Sequence, residues 1–263
     1  MKNMSDKKKA TKDLKQISNI FKKHNIEIWL DAGTLLGAIR EKDFIEWDED
    51  IDLAIKDKSD EDLFKIEIIK DLKKNGWLMF KKYGRGVKIL NKNHSSKIDI
   101  CYYNTKRDEC LYREHITMNE IGRILDFLIW IFNLNPVEFK YESRLSIKKL
   151  KYIYKIINII PSRIRKKFII LFKYLEKTIA TEKHIFKIPY DFIYPLKKIN
   201  FRGIECYIPN NEKDLLVVYY GKNWKKPIKN YKHGSWTTRI KENEKFIKEK
   251  YPDFFWRDLC EKS

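Results

Sequence analysis

The chain has 263 residues, of which 43% are apolar and 14% aromatic, and it carries 56 Lys or Arg against 37 Asp or Glu for a formal net charge of +19. That length and apolar share allow one sizeable core plus an annex, and they exclude a disordered chain. Nine Gly and seven Pro exclude collagen-like and linker-rich sequences.

Residues 6–24 place Ala10, Leu14, Ile17 and Phe21 at helical spacing with lysines between, which predicts a first helix. IEIWL (26–30) has strand composition. DAGT breaks the pattern, so Gly33-Thr34 is expected to follow a strand and precede a short helical turn in LLGAIR. IDLAI (51–55) predicts a second strand, and Ser59 is a candidate cap for a helix running to about Asn75 with Gly76 as its stop. WLMFKKY (77–83), VKIL (87–90) and KIDICYY (97–103) predict three more strands separated by turns. The middle is expected to be helical, over Asn119–Phe132, Pro136–Asn158 and Pro161–Thr181. IPYDFIYPL, KINFRG and IECYIP suggest short strands around Arg202-Gly203, and a short helix runs from Asn211–Asp214 to Gly221. The fold class is α+β: a mixed sheet with flanking helices and an inserted basic helical region.

The four cysteines, Cys101, Cys110, Cys206 and Cys260, show no CxxC spacing and read as ordinary thiols of a reducing compartment. The start, MKNMSDKKKATKD, lacks the apolar segment of a signal peptide, and no run of ~18 apolar residues is present to span a membrane. A cytoplasmic protein is expected.

Glu46, Asp48, Glu49, Asp50 and Asp52 crowd into seven positions. On a strand, residues i and i+2 face the same way, so Asp50 and Asp52 project together while Ile51 and Leu53 face the core. Ile98-Asp99-Ile100 repeats the alternation. If the two strands are close, Asp99 joins the pair, and three such carboxylates repel one another unless a divalent cation relieves them. Upstream, Gly33 permits close backbone approach, Thr34 offers a hydroxyl, and amides at the start of the turn suit a phosphate. Arg40 could pair with an anion or bridge to the acidic loop. A solvated acidic turn is the plain alternative for the cluster, but it does not account for Asp99 between isoleucines.

In this order, GTLLGAIREKDFIEWDEDIDLAI (33–55) resembles the signature of the LicD family, related to fukutin and the fukutin-related protein, within the nucleotidyltransferase-fold superfamily. YIPNNEKDLLVVYYGKNWKKP (207–227) is similar to that family's C-terminal element. The resemblance covers about residues 15–103 and 186–228. It departs from the pattern at Glu46, where the family often has Pro, and at Glu49, where it has Asp. The resemblance implies a nucleotidyltransferase-like core over 1–105, a basic helical region over 106–185, and a C-terminal part over 186–263 that packs back on the core. It also implies transfer of a phosphocholine-like or polyol phosphate group from a CDP-activated alcohol to a glycan or lipid-linked glycan, with release of CMP. By position, Asp50 and Asp52 would hold Mg²⁺ or Mn²⁺ on the donor diphosphate, and Asp99 would complete the metal site or accept the hydroxyl proton. Gly33 and Thr34 would contact phosphate, Arg40 would stabilise transferring charge, and Asp48 would support the ligands. Tyr220, Gly221 and Trp224 are either helix-end packing or a wall of the substrate pocket.

From Lys140 to Leu175 the chain has eleven Lys or Arg and one acid, Glu142. A basic amphipathic stretch suits a solvated helix face or peripheral contact with an anionic membrane. No nucleic-acid-binding pattern accompanies it, and no nucleic-acid partner is expected. Two readings stand beside phospho-alcohol transfer: a nucleotidyltransferase moving NMP from an NTP, and a non-enzymatic basic adaptor at a membrane surface.

Overall fold

The computed structural model describes residues 4–56, 66–82, 86–91, 97–106, 110–118, 120–132, 147–175, 178–179, 181–228 and 249. Ser59, the turns at 83–85 and 92–96, and the first part of the helix expected from Pro136 lie outside them. The chain divides into two compact units, one of residues 1–115 with 184–261, the other of 116–183 with 262–263.

The first unit opens with α1 (Met4–Lys23). Ala10, Leu14, Ile17 and Phe21 are all buried, so the expected stripe is the core face of this helix. The strand expected at 26–30 is short: only β1 (Trp29–Leu30) is paired. α2 (Ala32–Arg40) follows at once. DAGT therefore does not break the chain before a helix, as expected from its sequence; Gly33 and Thr34 stand in the first turn of α2. β2 (Asp50–Lys56), α3 (Ile66–Lys74), β3 (Trp77–Lys82), β4 (Gly86–Asn91) and β5 (Lys97–Lys106) complete the expected α/β unit.

Two strands stand at the ends of the region expected to be helical, 106–185. β6 (Cys110–Met118) pairs antiparallel with the end of β5, and β7 (Thr181–Pro189) begins where the third helix was expected to end. Within IPYDFIYPL, residues Tyr190–Ile193 form a helical turn, α7, rather than a strand. Pro189 at its N-cap has φ −54°, an angle its ring already imposes and one suited to entering a helix. The hairpin β8 (Lys197–Phe201) and β9 (Ile204–Ile208) turns at Arg202-Gly203, both at positive φ (54° and 80°). α8 (Glu212–Tyr220) ends at Gly221, whose φ of 82° only glycine adopts without strain.

Seven strands lie in the order β3-β4-β5-β2-β1-β9-β8, with β6 beside β5 and β7. β2 and β5 are parallel, β2 and β1 antiparallel, and β1 and β9 parallel, so the sheet is mixed. The acidic strand β2 thus lies inside the sheet. Ile51, Leu53, Ile98 and Ile100 are all buried, and they lock the register that fixes the aspartates beside them.

The second unit contains α4 (Glu120–Phe132), α5 (Ile147–Ile159) and α6 (Ser162–Leu175). Pro161 precedes α6, where Ile164 and Arg165 donate their N–H groups to its carbonyl (2.9 and 3.0 Å). Phe132 of α4 packs against Phe168 and Phe172 of α6, with ring centroids 5.5 and 5.4 Å apart. Among the described residues, no helix is long and apolar enough to cross a membrane.

Candidate active site

Two strands and one helix end build the site. β2 places Asp50 and Asp52 on one face, and β5 runs beside it with Asp52 opposite Asp99 and Asp50 opposite Lys97. On β5's other side, Lys88 of β4 stands opposite Asp99. Directly paired residues share a face of the sheet, so Asp52, Asp99 and Lys88 form a row across three strands.

Asp48 enters from the loop before β2. Carboxylate oxygens of Asp48, Asp50 and Asp52 all lie within 4.8 Å of one another. Asp48, which the resemblance cast as a supporting residue, thus joins Asp50 and Asp52 within the same 4.8 Å. Asp99 stands next to this trio and is only 6% exposed. Burial pushes the Asp52 carboxyl well above the usual carboxylate range, reinforced by the charges of Asp50, Asp48, Asp99 and Asp31. A compact set of hard oxygens that repel one another fits a divalent cation such as Mg²⁺. Asp48, Asp50 and Asp52 are the residues able to hold it, with Asp99 adjacent.

α2 closes over this cluster with its positive N-terminal end. Gly33 N–H donates to Asp52 Oδ2 (3.0 Å), and Thr34 Oγ1 accepts the N–H of Asp52 (2.8 Å). Thr34 is buried and pins the helix to the strand. Gly33 is required by space: a Cβ there would lie 2.4 Å from Asp48 Oδ2 and 3.0 Å from Asp52 Oδ2. The preceding Ala32 sits at φ 40°, a left-handed conformation that a non-glycine residue adopts at a cost of about 1–3 kcal/mol.

Beneath the cluster lies a group the sequence reading missed. Asp31 is fully buried and accepts hydrogen bonds from the hydroxyls of Tyr103 (3.0 Å) and Tyr219 (3.1 Å), which also contact each other. Its N–H donates to the carbonyl of Asp52 (3.1 Å). These bonds join the end of β1, strand β5 and helix α8 directly under the DhD strand, where h is apolar.

Beside the carboxylates opens a cleft of about 160 Å³, continuous with solvent. Gly33, Asp48, Tyr220 and Trp224 line it, and Arg40, Trp47 and Lys226 also reach it. Tyr220 and Trp224 therefore combine packing with a place on the wall, while Gly221 terminates α8 and is not among the lining residues. Arg40 is held by Glu41 Oε1 (2.6 Å) and the carbonyl of Trp224 (3.1 Å), so its bridge runs to its neighbour and not to the acidic loop. Glu49 is exposed and paired with Lys97 (3.1 Å).

A second acidic knot braces the loop after α2. Lys7 (2.9 Å) and Arg202 both bind Asp43, and Arg202 Nε also donates to Thr11 Oγ1 (2.7 Å). Burial raises the Asp43 carboxyl, but hydrogen bonds from Lys7, the Phe44 N–H and Arg202 outweigh it and leave the group below the usual range.

Residues 25–140 match the family described as LicD/FKTN/FKRP, nucleotidyltransferase domain. The matched stretch is less than half of the chain, and it contains the whole acidic strand and its neighbour β5. Over 99 residues the chain is 26% identical to the uncharacterized protein RP689 of Rickettsia prowazekii (strain Madrid E), covering 38% of this chain and 35% of that protein. Over 42 residues it is 40% identical to the uncharacterized protein RT0683 of Rickettsia typhi (strain ATCC VR-144 / Wilmington), covering 16% and 14%. The chain thus spans about a third of the first relative's length and less of the second. A crystal structure of ANT(2")-Ia in complex with adenylyl-2"-tobramycin aligns at a TM-score of 0.31 and 13% identity, over 64% of this chain and 98% of that one, a likeness too slight to add to the fold or the chemistry.

Proposed function

We propose that the chain transfers a phospho-alcohol from a CDP-activated donor to a glycan hydroxyl, releasing CMP. The observation that carries this reading is the carboxylate trio at the edge of a cleft, with Gly33 and Asp48 belonging to both. The cleft also holds two cations, Arg40 and Lys226, and an aromatic wall of Trp47, Tyr220 and Trp224.

In the proposed reaction the acceptor hydroxyl attacks the phosphorus that bears the alcohol. A new P–O bond forms, the bridging P–O bond breaks, and CMP leaves with the bridging oxygen. A divalent cation held by Asp48, Asp50 and Asp52 would neutralise the donor diphosphate and the departing CMP. Asp99 either completes that ligand set or takes the hydroxyl proton. Arg40, fixed by Glu41 and the Trp224 carbonyl, contributes positive charge where the phosphoryl group passes. Thr34 acts from behind, by holding α2 against the acidic strand.

The domain's description as a nucleotidyltransferase favours one other reading, transfer of NMP from an NTP. A donor screen separates the two. The protein is incubated with Mg²⁺, a glycan acceptor panel, and either CDP-alcohols or nucleoside triphosphates. CMP from a CDP-alcohol is expected; pyrophosphate from a triphosphate would replace the first reading with the second. Asp52→Ala turning over either donor as fast as the unaltered chain would remove both and leave a non-enzymatic adaptor.

A further inference from the structure

Among the described residues, twelve large apolar side chains are exposed, and eleven of them lie in the second unit. A soluble surface tolerates single exposed apolar residues; a concentration of them on one unit marks a surface with a partner.

The helices of this unit use only their inner faces for their own core. Ile153 and Ile157 of α5 pack with Phe127 and Phe132 around buried Ile131. Outward, α5 presents Tyr152, Ile156 and Ile159, spaced i, i+4, i+7 on one stripe, with Ile159 80% exposed. α6 has no fully buried residue, and it presents Ile170 (68% exposed) and Tyr174 one turn apart. Exposed Lys166 and Lys167 flank that pair on the helix surface. From 147 to 175 there are nine Lys or Arg and no Asp or Glu.

We propose that α5 and α6 lie on an anionic lipid bilayer, with the apolar stripes seated among the acyl chains and the lysines on lipid phosphates. The charge pattern selects this occupant. Two copies of such a face would bring eighteen like charges together (nine on each), which opposes a homodimer. A nucleic-acid backbone would satisfy the lysines but leave the isoleucines in water. An anionic bilayer surface satisfies both, and tyrosine and lysine suit the headgroup level. The proposal goes beyond the reaction assigned to the carboxylates and does not depend on it.

The test is flotation of the full chain with phosphatidylcholine vesicles, with and without phosphatidylglycerol. Binding to the anionic vesicles at low salt, weakened by added salt, is expected. Lys166→Gln with Lys167→Gln should cut partitioning about 25-fold, since each basic side chain near such a surface contributes about fivefold. Ile156→Asn, Ile159→Asn and Ile170→Asn should each cut it about tenfold. Circular dichroism and thermal melts matching those of the unaltered chain establish that the variants fold. Turnover of a soluble acceptor should be unchanged in them, which keeps this test separate from the reaction. Failure to float with anionic vesicles at low salt would overturn the proposal. So would isoleucine variants that float as well as the parent. A face that instead mediates self-association, lost in the isoleucine variants by sedimentation, would assign it to a second copy.

Discussion

The two units place charge and oil in opposite ways. The sheet unit gathers aspartates against a buried apolar strand face, where Asp31, Asp48, Asp50, Asp52 and Asp99 sit in fixed contacts or repel one another. The helical unit spreads cations over a surface where isoleucines stand in water. In the first, charge is expensive and specific, because desolvation and neighbouring carboxylates act on groups a few ångströms apart. In the second, charge is cheap and collective, because solvated lysines act through a field and not through partners. A fold can thus hold a reaction centre and a binding surface with different tolerances to substitution.

The largest effect that would sharpen this contrast is at Asp52. Asp52→Asn should lower turnover about 10³-fold or more, the scale for losing a central electrostatic group. The same change should raise the melting temperature in metal-free buffer, because it removes a partly buried charge repelled by four others. The sign follows from linkage: a carboxyl held above its unfolded pKa binds its proton better when folded, so stability falls as pH rises through that window. A melt showing Asp52→Asn less stable than the parent at neutral pH would break the electrostatic account.

Gly33→Ala comes next. The added Cβ would meet Asp48 Oδ2 at 2.4 Å, so the carboxylate must move. Turnover is expected to fall about 10²-fold, the penalty for a misplacement near 1 Å. An unaltered rate would show that Asp48 need not sit where the trio holds it.

Tyr219→Phe removes one of two hydroxyls donated to buried Asp31. Chemical denaturation should show a loss of about 1–3 kcal/mol. The smallest effect belongs to Asp43, whose partners leave it near the surface. Its depressed pKa stabilises the fold above the ordinary carboxylate range, and that contribution disappears as pH falls through the folded value. Asp43→Asn should therefore cost at most about 1 kcal/mol at pH 7, as for ion pairs open to water, and the difference should vanish in acid. A difference that persists in acid would assign the effect to packing.

Much of the acidic strand was legible because strand alternation is a local rule. Asp50 and Asp52 share a face whatever the rest of the chain does, and Ile98-Asp99-Ile100 obeys the same rule. Their adjacency needed the sheet order, which two parallel strands separated by a helix and a hairpin do not reveal. Asp31 was hidden for that reason: its partners are 72 and 188 residues away. Gly33 was misplaced because a glycine after a strand reads as a break, whereas here it serves a helix whose side-chain space is filled by carboxylates. β7 was missed because its partner β6 lies across the intervening helices, and β6 was missed although it folds back locally on the end of β5. The cleft wall was half legible: Tyr220, Trp224, Lys226 and Trp47 all stood in recognisable strings, but that the two strings meet around one cleft appears only in the fold.

The pairing of Asp52 with Asp99 has one more consequence. A slip of β5 by a single residue would bring Ile98 or Ile100 opposite Asp52 and turn the third aspartate to the other face of the sheet. The row of acids therefore exists in one alignment of the two strands and in no neighbouring one. Anything that senses that row, a titrating ion or a substrate, also reports whether the chain was assembled in the right frame.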